Sequence, residues 1–132
     1  MKNRPIVEDW LIRSRSNLCR AQSGQTSDEI LFEDLCFDCQ QSVEKSLKGL
    51  LIAIDIEAPR THNISILIEY LAKTGITIPH QVIIASDLTE FAVQTRYPGI
   101  YEPITGEEFA ESLEIAENVY SWVLSELAKL PD

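Results

Sequence analysis

Gln41, Glu44, Lys45 and Lys48 stand at i, i+3, i+4 and i+7 in this chain, a spacing that places four polar side chains on one helix face. An amide, a carboxylate and two ammonium groups along one stripe can bind an anion or a charged partner, provided that any buried member is hydrogen-bonded. Histidine is the usual proton carrier near neutral pH, and the chain has two, His62 and His80. Arg96 and Tyr97 precede Pro98 and Gly99; a planar guanidinium there would grip a phosphate or carboxylate with parallel hydrogen bonds. The candidate ligand-binding set is therefore Gln41, Glu44, Lys45, Lys48, His62, Arg96 and Tyr97. Each has a plainer reading. The stripe is a solvated helix face, His62 makes a helix-capping or interhelical hydrogen bond, Arg96 pairs with an acid, and Tyr97 packs beneath its loop. His80 follows Pro79 and reads as a surface residue at a helix start.

Cysteine chemistry is not indicated. Three cysteines, Cys19, Cys36 and Cys39, give no disulfide framework. Cys36 and Cys39 form a C-x-x-C, but mid-helix and without the glycine or proline of a redox turn. Both read as small residues facing the core. No catalytic residue, metal ligand or cofactor is assigned.

The polar stripe needs a helix to carry it, and periodicity supplies one. Phe32, Leu35, Cys36, Cys39, Val43, Leu47, Leu50, Leu51 and Ile54 recur at helical spacing, which predicts a long helix over about residues 28–54 with Thr26 or Ser27 as its N-cap. A first helix is expected over about residues 7–22, after Pro5, with Trp10, Leu11, Leu18 and Ala21 along one side. A third carries Ile64, Ile66, Leu67, Ile68, Tyr70 and Leu71, capped by Thr61 or Asn63 and ended by Gly75. Residues 76–78 are too short to pair as a strand and read as an extended connector. A fourth helix over about residues 80–95 turns Val82, Ile83, Ala85, Leu88, Phe91 and Ala92 inward and stops before Pro98. The last begins near Glu107 after a Thr105 cap, with Phe109, Leu113, Ala116, Val119, Tyr120, Val123 and Leu127 inside. Five helices with short connections predict an all-α, five-helix up-and-down bundle forming a single domain over residues 1–132.

Composition narrows the partners. Apolar residues make up 45% of 132 residues, enough for one core. No apolar run approaches the roughly 20 residues of a membrane span, and no signal segment follows the basic start, so a cytoplasmic protein is expected. A net charge of −10 opposes non-specific binding to nucleic acid. The charge is uneven: residues 1–20 hold Lys2, Arg4, Arg13, Arg15 and Arg20 against Glu8 and Asp9, and residues 102–117 hold six glutamates and no base. The two ends can attract each other within a chain or across a dimer, or remain two solvated faces.

Four segments taken in order resemble the HEPN domain family. Cys39-Gln40-Gln41-Ser42-Val43-Glu44-Lys45-Ser46-Leu47-Lys48-Gly49-Leu50-Leu51 is similar to the family's helix with paired glutamines, an E-K step and a later lysine. Thr61-His62-Asn63-Ile64 is similar to its T-H-D/N-hydrophobic step, Thr95-Arg96-Tyr97-Pro98 to its R-Y-P step, and residues 116–127 with Trp122-Val123 to its closing helix. The resemblance implies a homodimeric helical bundle, a small prokaryotic member of a kind often encoded beside a minimal nucleotidyltransferase, some such pairs acting as toxin and antitoxin. One branch of the family is a metal-independent RNase marked by an arginine followed, after four to six residues, by a histidine. This chain departs from that mark. The residues five to seven places before His62 are Asp55, Ile56 and Glu57, those before His80 are Lys73, Thr74 and Gly75, and no histidine follows Arg96. The resemblance also makes Tyr97 and Tyr101 candidates for modification by a partner nucleotidyltransferase, although the RNase branch has its target tyrosine two residues after the histidine that is missing here. The expected protein is a non-catalytic homodimer that binds a nucleotide, a minimal nucleotidyltransferase, or both. The alternatives are an RNase toxin with a degenerate site on Arg96, and a purely structural interaction module.

Overall fold

The computed structural model describes residue 1, residues 3–92, residue 99 and residues 102–131. Arg96, Tyr97 and Tyr101 lie outside these, so the expectations placed on them are carried by sequence alone. Helix α1 spans Arg4–Ser23, α2 Phe32–Ala53, α3 Ile64–Ala72, α4 the single turn His80–Ile83, and α5 Gly106–Ala128; a 3-10 segment, Ile84–Ala92, continues α4. Among the described residues there is no strand, and none of their helices is long and apolar enough to cross a membrane. The all-α expectation agrees with this architecture.

α2 is the axis of the bundle. α1, α3, the 3-10 segment and α5 all pack against it, and fourteen of its 22 residues are buried. Cys36, Cys39, Val43, Leu47, Leu50 and Leu51 form the core with Leu18 and Ala21 of α1, Ile64, Leu67 and Leu71 of α3, and Ala116, Val119 and Val123 of α5. A helix covered on so many sides must also bury polar residues: Asp38, Gln40, Ser42, Glu44, Ser46 and Lys48 are all buried. Each then needs a partner within the protein. At the α1–α2 crossing, Ser14 Oγ donates to the Ser42 carbonyl at 2.7 Å. Gly49 lets the two helices close further, since a Cβ there would lie 3.3 Å from Trp10 Cβ.

Several boundaries differ from expectation, each for a local reason. α1 begins at Arg4 rather than near residue 7, because Pro5 fits the first turn. α2 begins at Phe32, not near residue 28, and is about 33 Å long rather than 40. Thr26 and Ser27 do not cap it. Ser27 Oγ accepts from Glu29 N–H at 3.2 Å, and its carbonyl accepts from Ile30 N–H at 3.1 Å, so Ser27 serves a turn before the helix. Of the two candidate caps on α3, Asn63 performs the role, Oδ1 accepting from Ser65 N–H at 3.0 Å. The chain leaves α3 through Gly75, whose φ of 92° is open to glycine at little cost.

The fourth helix departs most from expectation. Val82, Ala85, Leu88 and Phe91 are the buried positions, each three residues after the last. A 3-10 helix has three residues per turn and keeps such a series in line, where an α-helix would rotate it away from the core. Ile83, expected inside, is 48% exposed as a result. Tyr70 and Cys19 are exposed as well. The α5 start is as expected: Thr105 Oγ1 accepts from Glu108 N–H at 3.1 Å and Glu108 Oε1 accepts from Thr105 N–H at 3.1 Å, a complete capping box. Thr105→Ala should therefore lower stability by about 1 kcal/mol, read as a lower urea midpoint at unchanged slope.

Candidate ligand-binding face around Glu44

The polar residues of α2 divide into two networks. The first centres on Glu44, whose side chain is only 5% exposed. Its Oε2 receives Lys48 Nζ at 3.0 Å. Its Oε1 receives Gln40 Nε2 at 3.1 Å and lies 2.8 Å from His62 Nδ1. Gln40 Nε2 also donates to the His62 carbonyl at 3.2 Å, and Gln41 Nε2 donates to Gln40 Oε1 at 2.7 Å. The loop before α3 is thus fastened to α2 through both the backbone and the ring of His62.

Burial alone would raise the Glu44 pKa. The hydrogen bonds from His62, Lys48 and Gln40 and the Lys48 charge together outweigh it and hold the carboxyl below its usual value. An ionised carboxylate only accepts hydrogen bonds, so the imidazole nitrogen facing it, Nδ1, carries a proton. Nε2 belongs to a ring whose side chain is 72% exposed and faces away from Glu44. Neutral, His62 offers an acceptor there; protonated, it offers a second donor. Because the folded Glu44 pKa lies below its unfolded value of about 4.5, the stabilisation it contributes is complete above that pH and is lost as pH falls through the folded value. The difference in urea midpoint between wild type and Glu44→Gln should accordingly be large at pH 7 and shrink progressively below pH 4.5.

A shallow groove adjoins this network. Trp10, Lys48, Ile52, Glu57, Ala58, Pro59 and Arg60 line about 360 Å³, and Lys48 Nζ stands 5.8 Å from the centre of the Trp10 ring, within reach of a cation–π attraction. Lys48 therefore belongs to both the carboxylate network and the groove. Trp10, Gln40 and Arg60 were not singled out from sequence. Gln40, one turn before Glu44, and Arg60, two residues before His62, carried a signal in their spacing. Trp10 carried none, being read as an apolar residue of α1.

Lys45 belongs to the second network, so the four-residue stripe does not act as one face. Lys45 Nζ donates to Asn17 Oδ1 at 2.8 Å, Asn17 Nδ2 donates to Asp38 Oδ1 at 2.8 Å, and Arg20 Nε lies 3.3 Å from Asp38 Oδ2. Burial depresses the Lys45 pKa, helped by the Arg13 and Arg20 charges and opposed by Glu44 and Asp38. The solvated-face reading fails for Glu44 and Lys48, which are buried. His80 is exposed at the start of α4, as expected. Cys36 and Cys39 are fully buried, and burial, first among the causes, pushes the Cys39 thiol well above its ordinary range. That thiol stays protonated and unreactive. Among the described residues no group of three His, Cys, Asp or Glu side chains converges as a metal site.

The comparisons with known proteins agree with this architecture. None of the curated proteins matches the chain. Two solved structures resemble it over nearly its whole length. The archaeal HEPN homologue ST0689 is 29% identical with a TM-score of 0.72, covering 92% of this chain and 97% of its own. TT1696 from Thermus thermophilus is 28% identical with a TM-score of 0.76, covering 96% and 99% respectively. The HEPN domain profile matches residues 7–127, and the chain belongs to the HEPN domain family.

Proposed function

We propose that this chain is a non-catalytic HEPN homodimer that binds a nucleotide, a minimal nucleotidyltransferase, or both, through the face around Gln41, Glu44, Lys48 and His62. Arg96 and Tyr97 are assigned to that face from sequence, and Lys45 supports it from the neighbouring network. One observation supports the reading most: a buried carboxylate gathers His62, Lys48 and Gln40 beside a groove walled by an indole and a guanidinium. An aromatic wall suits a nucleobase, and cations at its edge suit a phosphate. Isothermal titration with ATP, AMP and GTP should give binding to at least one, weakened about tenfold or more by His62→Ala, with circular dichroism confirming that the variant is folded. Absence of heat with all three, together with no complex with the product of the adjacent gene, would remove the proposal.

A second reading has one observation in its favour. A histidine anchored through Nδ1 by a carboxylate is the arrangement that orients a general base, so an RNase toxin with a degenerate site on Arg96 would have His62 as its proton carrier. Expression should then arrest growth, and His62→Ala and Arg96→Ala should each relieve the arrest. Harmless expression of the wild-type chain would dismiss this reading.

A further inference from the structure

We propose that a second copy of this chain docks on the outer face of α1, the two α1 helices running antiparallel about a two-fold axis between Leu11 and Ile12. This rests on the homodimer in the reading above and identifies the face that forms it.

α1 turns Val7, Ser14, Asn17, Leu18 and Ala21 inward, yet Ile12 is 66% exposed. Ile12 lies about 200° round the helix from Trp10, at about 100° per residue, and so points away from the Glu44 face. A trough opens there between α1 and α5. Glu8, Leu11, Ile12, Arg15 and Tyr120 line one part of about 420 Å³. Glu8 and Leu11 also line the next part, about 320 Å³, which runs on past Leu124 and Leu127. Leu124 is 42% exposed. A continuous apolar trough on an otherwise highly charged molecule marks an interaction surface.

The pattern along α1 says what covers it. Glu8, Leu11, Ile12 and Arg15 are spaced i, i+3, i+4 and i+7, so all four share one face. They read acid, apolar, apolar, base: opposite in charge end for end. Laid antiparallel on a copy of itself, this face sets Glu8 against Arg15 of the second copy and Leu11 against its Ile12. Each contact then occurs twice, as an isologous two-fold interface requires. Both charged residues are exposed, and among the described residues neither forms a salt bridge. The Arg15 guanidinium sits 5.7 Å over the Tyr120 ring, at the mouth of the trough. Self-pairing through the neighbouring helix is less favourable: α5 carries glutamates and no basic residue, so two α5 faces would repel, whereas the α1 face offers Glu8 and Arg15 as complementary charges. Docking there leaves the Glu44–His62 face open on both subunits.

Sedimentation equilibrium over a dilution series tests the assignment, with circular dichroism confirming that each variant is folded. Wild type should be a dimer. Glu8→Arg and Arg15→Glu should each weaken it by about tenfold or more, since either places like charges opposite each other twice. Combining the two restores the complementary pattern, so the double variant should return to within about threefold of wild type. Ile12→Asp should also dissociate the dimer. A wild-type chain that is monomeric throughout would overturn the homodimer itself. A wild-type dimer that both single substitutions leave intact would keep the dimer and overturn the α1 face. Single variants that weaken without recovery in the double variant would overturn the antiparallel pairing.

Discussion

Replacing Glu44 by alanine is expected to lower stability by about 3 kcal/mol, a fall of about 10 °C in Tm. Three groups lose their acceptor together: Lys48 Nζ, Gln40 Nε2 and His62 Nδ1. Lys48 dominates. Its side chain is only 11% exposed, so its ammonium cannot simply turn to water, and removing one partner of a buried pair leaves an uncompensated charge. His62, largely exposed, recovers its hydrogen bond from solvent. Glu44→Gln keeps the shape and a carbonyl acceptor and should be milder. Urea unfolding monitored by circular dichroism measures both; a loss under about 1 kcal/mol for alanine would mean that Lys48 finds water easily and that the network is a surface feature.

Asp38→Ala should lower stability by about 2 kcal/mol, less than Glu44→Ala although Asp38 is just as buried, at 2% exposure. The difference lies in the partners. Arg20, the cation on Asp38, has a side chain 67% exposed and rehydrates when released. The cost falls on Asn17, a residue only 8% exposed, whose Nδ2 loses its acceptor while its Oδ1 still holds Lys45. The Asp38 and Glu44 networks share no hydrogen bond, so the two substitutions together should add within about 0.5 kcal/mol. Strong coupling between them in a double-mutant cycle would show instead that α2 carries a single polar network.

Helix positions were legible in this sequence because α2 and α5 carry long apolar series at helical spacing and because Thr105 and Asn63 are capping residues placed correctly for their helices. The 3-10 segment was harder to see. The series at residues 82, 85, 88 and 91 fits either helix type over its first turn, and only burial of every third residue distinguishes them. The α2 start was misplaced because Ser27 is equally suited to a turn and to a cap. At the site, spacing put Gln41, Glu44, Lys45 and Lys48 on one helix, but it could not say which neighbour each would meet. That depends on α1 bringing Asn17 to Lys45 and on the loop before α3 bringing His62 to Glu44, contacts separated by 28 and 18 residues in the chain. Trp10 and Arg60 became visible only when α1 and that loop closed around Lys48.

The most direct test of the central claim, that the buried Glu44 carboxylate orients the His62 ring, is a 15N NMR experiment that reports which imidazole nitrogen bears the proton at a pH where the ring is neutral. The protein should show the proton on Nδ1, with a bare Nε2 toward solvent, and Glu44→Gln should disturb that pattern. A neutral His62 protonated on Nε2, unchanged by Glu44→Gln, would contradict it.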